Sequence, residues 1–338
     1  MKRFGFAVLA LAALAAGPVS AQDAVEKFYK GNTITINVPS SAGGTYGLAA
    51  QLLSQHMPKH IPGKPNMVLQ IMPGGVKATN YMANVAAQDG SVINLLSQSM
   101  PDLQASKAKG VQFDVLKFHP IGLIAGLNGA FVVDDRAPAK TIEDMKTKVI
   151  LAGTRERSDY GFQTVAMLNH FMGTKVKIIL GYDGGAETDL AMERGELHGK
   201  LSSWLSIKER HPQWGRGEGA KVVLQIGTER DPDIPNVPTL VDLAKTDEQK
   251  KIFIFLAGNN SIARGLTAPP GVPADRVNAL RKAFDDMIKE GPFVADLKKH
   301  GFPMNHKDWK GYAQMIKELA GTPPEIIAMS EQILSKAR

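Results

Sequence analysis

The chain of 338 residues contains no cysteine. Disulfides, thiolate metal sites and cysteine nucleophiles are therefore excluded, and stability has to come from an ordinary core. Aromatic residues are few, at 7% with three tryptophans, and no basic run is interleaved with them, so nucleic acid is not implied. The formal charge of +7 is dispersed, and Lys2 and Arg3 supply two units of it. A mild positive field of this kind suits an acidic ligand, although solubility is its commoner meaning. Beyond the N-terminus no stretch reaches the roughly 18 apolar residues of a membrane span. Signatures of catalysis are also missing: there is no G-x-S-x-G elbow, no H-E-x-x-H, no P-loop and no G-x-G-x-x-G after a strand. His56 and His60 are four apart, but Pro58 between them and the lack of a third ligand argue against zinc and for a wet surface. No metal and no cofactor is expected.

The N-terminus carries a leader. Lys2 and Arg3 precede an apolar run from Phe4 to Gly17, and Val19-Ser20-Ala21 offers a small-residue cleavage site. Residues 1–21 thus read as a secretory signal peptide, with Gln22 as the first mature residue and a periplasmic destination. No Cys lies near residue 21, which excludes a lipoprotein anchor. The remainder of the chain is long enough for two domains of ordinary size.

Strand-like and helix-like segments alternate along that remainder, as in an α/β fold. Strands are expected at 33–38, 67–72, 92–97, 121–124, 130–133, 149–152, 177–180 and 222–226. Helices are expected at 46–57, 77–87, 162–172 and 186–194, with a mostly helical C-terminal third. In the 77–87 segment Ala78, Tyr81, Met82 and Val85 fall on one face.

The most informative segment runs from Ile34 to Tyr46. It reads as a strand, a small-residue turn (Ser40, Ser41, Ala42, Gly43, Gly44, Thr45, Tyr46) and the start of a helix. Helix N-termini carry backbone N–H groups without helical partners at the positive end of the dipole, so such a junction receives anions. Pro73-Gly74-Gly75 and Tyr182-Asp183-Gly184-Gly185 repeat the arrangement. A fourth junction, 152–161, is polar: Ser158 or Asp159 is a candidate helix cap, and Arg155 and Arg157 offer forked donors to a carboxylate or pair with Glu156 and Asp159. Among the tryptophans, Trp204 is the best candidate for stacking on a ligand, with core packing as the alternative.

These segments resemble the substrate-binding proteins of tripartite tricarboxylate transporters, the Bug family. The resemblance rests on Ile36-Asn37-Val38-Pro39 with Ala42-Gly43-Gly44, on Met72-Pro73-Gly74-Gly75, and on Gly181-Tyr182-Asp183-Gly184-Gly185 with Arg194-Gly195-Glu196. It is extended by Asn236-Val237-Pro238-Thr239-Leu240 and by Leu266-Thr267-Ala268-Pro269-Pro270-Gly271. It implies a two-lobed type II periplasmic-binding-protein fold with two crossover connections, at 121–133 and around 253–266. Lobe 1 would hold residues 23–125 and 256–338, and lobe 2 residues 126–255. It further implies a monomeric protein that captures a small carboxylate, whether a di- or tricarboxylate or an aromatic acid, and delivers it to a tripartite membrane permease. A ligand sensor or an exported hydrolase are the alternatives.

Carried over, the ligand-binding loops are Ser40–Tyr46, Thr154–Asp159 and Tyr182–Gly185, together with Ser97 and Gln98 after the third strand. The chain departs from the family pattern in two places. Thr45-Tyr46 and Gln51 stand where Thr-Asp and a helix Arg are usual, and Ala263-Arg264 stands where an aromatic is usual. Tyr46 could stack on a flat acid or offer its hydroxyl in place of the missing Asp.

Overall fold

The computed structural model describes residues 21–40, 42–157, 159–182 and 184–337. The expected leader lies outside the described residues except for Ala21, which opens the helix Ala21–Tyr29. Two sheets form the two lobes. The first contains β1 (Thr33–Val38), β2 (Asn66–Ile71), β3 (Val92–Leu96) and β4 (His119–Leu123). The second contains β5 (Gly129–Asp134), β6 (Ile150–Gly153), β7 (Val176–Ile179), β8 (Gly199–Ser203) and β9 (Ala220–Ile226). The chain then returns to the first sheet as β10 (Gly265–Ala268) and β11 (Lys307–Asp308). Strand orders are β11-β4-β10-β3-β1-β2 and β7-β6-β8-β5-β9.

Alternation explains why these strands sit where they do. Ile34, Ile36 and Val38 of β1 are fully buried in one apolar cluster with the helix Thr45–His56, while the intervening Asn37 faces the other side. In β5 every residue is buried: Phe131 and Val133 enter one cluster of lobe 2, Ala130 and Val132 the other. A strand covered on both faces reads as a continuous apolar run, as this one does. β1 pairs parallel with β2 and β3, whereas β10 runs antiparallel between β3 and β4. That reversal is the mark of a strand inserted after an excursion through a second lobe.

The lobe boundaries need two corrections. The helix Asp247–Ser261 buries Ile252, Phe253, Phe255 and Leu256 in the lobe 2 core, so the return crossing begins after Leu256 rather than at 253–256. The last helix, Pro324–Lys336, does not belong to lobe 1. Its Ile326 and Ile333 pack in the lobe 2 cluster with Phe162 and Ile252, so the chain crosses once more after Gly321. His56 and His60 are not simply solvated either: His56 Nε2 lies 2.8 Å from Asp296 and His60 Nε2 3.2 Å from Glu290.

The two β-level crossings touch each other. Leu127 N–H donates to Asn260 O at 3.1 Å, Ile124 N–H to Arg264 O at 3.3 Å, and Asn305 binds both backbone groups of Gly126. Beside this hinge Asp102, buried, accepts from the Asn259 amide, while Asp102 Oδ1 and Asn259 Oδ1 have no partner. Burial pushes the Asp102 carboxyl well above the usual carboxylate range. The folded protein therefore keeps a proton that the unfolded chain has released, and its stability falls as pH rises from about 4 through the raised value. Asn at this position is neutral and offers an N–H to Asn259 Oδ1. Asp102→Asn is expected to match the parent near pH 4 and to melt higher at pH 7–8, by about 1–3 kcal/mol. Melting curves across that range check it, and a variant less stable at pH 8 than the parent would refute it.

Candidate functional site

A cavity of about 560 Å³ lies between the lobes. Lobe 1 lines it with Pro39, Ser40, Gly44, Thr45, Tyr46 and with Gly74-Gly75 and Ser97–Met100. Lobe 2 contributes Gly153–Glu156, Asp159–Gly161, Gly184-Gly185 and Arg210, and the crossings add Leu127, Asn260 and Arg264. A depression of similar volume over Val241–Lys250 is lined by one lobe alone and lacks this convergence.

The three glycine junctions do meet here. Each supplies a helix N-terminus, at Thr45, Gly75 and Gly185, and none of the three helices carries a side-chain cap. The N–H groups of these first turns thus have no side-chain cap, the arrangement that suits an anion. Gly74 holds φ at 102°, open to glycine and strained for other residues. Gly185 answers a different need: a Cβ there would stand 2.8 Å from Arg210 Nη2.

The remaining expected residues divide. Thr154 lines the cavity, and its hydroxyl donates to Asp159 at 3.0 Å. Asp159 also lines it but is occupied by Arg155, through Nε at 3.0 Å and through Nη2, so this pair is internally neutral. Asp159 stands at the helix N-cap position without using its side chain as a cap. Arg157 does not face the cavity: its Nη2 donates to Leu334 O at 2.6 Å and Ala337 O at 3.1 Å, and its guanidinium covers Phe162 at 4.5 Å. Trp204 is 2% exposed in the lobe 2 core and is not among the lining residues, so it is packing rather than a stacking platform. Ala42, Gly43 and Tyr182 do not line the cavity either; Tyr182 packs beside Gly153. Ser41, Ser158 and Asp183 lie outside the described residues.

Tyr46 is anchored at both ends. Its hydroxyl accepts from Gln98 N–H at 3.1 Å and donates to Leu96 O at 3.4 Å, and the Arg264 guanidinium lies 4.1 Å from its ring centroid. Burial raises the phenol above its ordinary value. Gln98 in turn donates to Asn260 Oδ1 at 2.5 Å, and Asn260 to Ile226 O at 3.0 Å, a bridge from one lobe to the other.

Two cations that sequence reasoning left out of the site define its electrostatics. Arg264, 4% exposed, donates through Nη2 to Thr45 Oγ1, while its Nε has no partner. Burial works against its charge. Arg210 donates Nε to Asp189 at 2.7 Å and leaves Nη2 partnerless. Lys200 grips the same carboxylate and gives a second bond to Gly185 O at 2.9 Å; His211 Nε2 stands 3.1 Å from it, outside hydrogen-bond geometry. Burial lowers Lys200 to about 8. For Asp189 burial acts upward, but Lys200 and Arg210 outweigh it and hold the carboxyl below its usual range. Tyr160 adds a third partnerless group, its hydroxyl. The signal available for Arg264 was its place as a departure from the family pattern; for Arg210 there was none, since a helix-end arginine reads as solvated.

No family model matches the chain, and no curated protein matches it. Solved structures do. A periplasmic transporter shares 22% identity at a TM-score of 0.69, covering 91% of this chain and 98% of its own. The periplasmic binding protein BugD shares 17% at 0.70, covering 90% and 98%. MatC from Rhodopseudomonas palustris, with bound malate, shares 19% at 0.66, covering 90% and 99%. These likenesses show the fold to be the two-lobed type II periplasmic-binding-protein fold.

Because the Tyr46 hydroxyl is held by backbone groups, Tyr46→Phe is expected to cost about 1 kcal/mol of stability. Its effect on ligand affinity should stay within about threefold, below 1 kcal/mol. Calorimetric titration beside a melting curve checks this, and a larger loss of affinity would return the hydroxyl to the ligand.

Proposed function

We propose that the protein is a periplasmic solute-binding receptor that captures a small carboxylate between its lobes and hands it to a tripartite tricarboxylate-type permease. One observation carries the reading: an interlobe cavity is lined by a buried arginine, Arg264, whose Nε has no partner, and by three uncapped helix N-termini. A buried cation with an unsatisfied N–H, among further N–H donors, calls for an anion. No histidine lines the cavity among the described residues, so no Ser–His pair is assembled there. The likeness in fold to a malate-bound protein supports the same class of ligand, and the leader at 1–21 supports export.

Binding closes such lobes when donors of both can reach one ligand only in the closed form, since a ligand shifts an equilibrium by its differential affinity for the two states. A thermal-shift screen of dicarboxylates, tricarboxylates and aromatic acids tests the reading. A true ligand at about 100 times its Kd is expected to stabilise the fold by about 2.7 kcal/mol. Stabilisation by neutral or cationic solutes alone, with no response to any carboxylate, would overturn it.

A further inference from the structure

We propose that Arg157 is a positioning residue for the ligand site: by binding the C-terminal end of the helix Pro324–Lys336, it holds the loop 153–161 in the shape that lines the cavity. No contact between Arg157 and a ligand is involved. The inference rests on the receptor reading only for its effect on affinity; its effect on the loop stands without a ligand.

Of the described residues in 153–161, Arg157 alone does not line the cavity. The loop is rooted in lobe 2 at both ends. Thr154 N–H donates to Ile179 O at 3.0 Å and Gly181 N–H to Arg155 O at 3.0 Å, while Gln163 N–H donates to Asp159 O at 3.1 Å. Between these anchors the loop bonds to itself: Arg155 N–H donates to Asp159 Oδ2 at 3.1 Å, and Asp159 N–H to Glu156 O at 3.1 Å. Bonds internal to a loop fold it, but they do not fix where its tip stands against the rest of the lobe. Arg157 carries the tip to a different element.

That element is well matched to a cation. Arg157 Nη2 donates to Leu334 O at 2.6 Å and to Ala337 O at 3.1 Å, partners 177 and 180 positions away. The last C=O groups of a helix have no N–H partner within it, and they stand at the negative end of its dipole. A guanidinium placed there satisfies carbonyls and complements the dipole at once. The same bonds that cap the helix therefore restrain the loop.

Ring packing adds an independent observation. The Arg157 guanidinium lies 4.5 Å from the ring centroid of Phe162, on the first turn of the helix Tyr160–Met167 that follows the loop. Phe162 is buried in the same apolar cluster as Ile326 and Ile333 of the helix Pro324–Lys336. The loop, the helix after it and the C-terminal helix thus meet at one side chain. The C-terminal helix arrives from the helix Trp309–Ala320, whose Tyr312 and Ile316 pack in a cluster of lobe 1 with Leu96 and Leu123. Arg157 therefore ties a wall of the cavity to the third connection between the lobes.

Amide hydrogen exchange of the purified full chain without ligand, read by mass spectrometry, tests the inference. Arg157→Gln is expected to speed exchange about tenfold at 153–161 and at Gly181, the scale of one charge-assisted bond, and to leave the strand Thr33–Val38 unchanged. Arg157→Lys should fall in between, because it keeps the charge and loses the fork. If Arg157 only caps the helix, exchange rises at 333–337 and nowhere in the loop, which overturns the inference. The second measurement is calorimetric titration with succinate, adipate or phthalate, whichever stabilises the parent in a thermal screen. That acid is expected to bind Arg157→Gln about tenfold more weakly, with the melting temperature within about 4 °C of the parent. Unchanged affinity overturns the inference and leaves the carboxylate reading standing. Should no acid bind the parent, the carboxylate reading falls, and loop exchange alone decides for or against the clamp.

Discussion

A guanidinium buried in the turn that leads from the helix Asp247–Ser261 into β10 is the constraint around which the site is arranged. Burying a charge is tolerated only where hydrogen bonds and opposite charge surround it. Around Arg264 the protein itself supplies a hydroxyl from Thr45 and the π-face of Tyr46, and no anion. Each of those neighbours is then fixed by something else. Tyr46 is pinned by the backbone at the end of β3, and Gln98, next along, is pinned to Asn260 on the return crossing. The result is a rigid floor that spans both crossings, with one N–H left over. Lobe 2 repeats the pattern independently: Asp189 fixes Arg210 by one nitrogen and leaves another free.

Rigidity of the floor contrasts with the economy of the hinge. Only a few residues on each crossing join the lobes, and they hydrogen-bond to each other through Leu127 and Asn260. Yet the helix Asp247–Ser261 is rooted in the lobe 2 core at Phe253 and Leu256, and its last turn reaches Asp102 and Gln98 of lobe 1. The C-terminal helix Pro324–Lys336, returned to lobe 2, adds a third connection far from the cavity. The backbone joins the lobes at Gly126, at Asn260–Arg264 and after Gly321, and among side chains Leu205 of lobe 2 packs into the lobe 1 cluster.

Much of this was legible in the sequence, and the parts that were not share a cause. Strand β1 and the helix after it announced themselves because Ile34, Ile36 and Val38 alternate and glycines punctuate the turn. Strand β5 was legible as an unbroken apolar run. Strand β8, Gly-Lys-Leu-Ser-Ser, was not: its Lys200 reads as a surface residue, and only the buried Asp189 makes its burial tolerable. The same blindness hid Arg210 and Arg264. Composition assigns charged residues to solvent, and what overrules it is a partner, or the need for one, contributed from tens or hundreds of positions away. Arg157 failed in the opposite sense, since its partners are carbonyls at the far C-terminus. Local pattern finds the scaffold and the glycine seats; long-range charge pairing decides which cations face the ligand.

That distinction bears on how binding couples to closure. Three uncapped helix N-termini and two partly unsatisfied guanidiniums converge on one volume, so without an anion they repel one another across a low-dielectric gap. An anion reverses the sign of the interaction for every one of these groups at once, and the reversal grows as the gap narrows. Shifting a two-state balance fully takes a differential affinity of about 5.5 kcal/mol, more than one neutral hydrogen bond supplies. Charge-assisted bonds to groups on different lobes are the kind of contact able to reach it. The fold's glycine junctions bring three helix N-termini to one cavity, and Arg264 and Arg210 line it beside them.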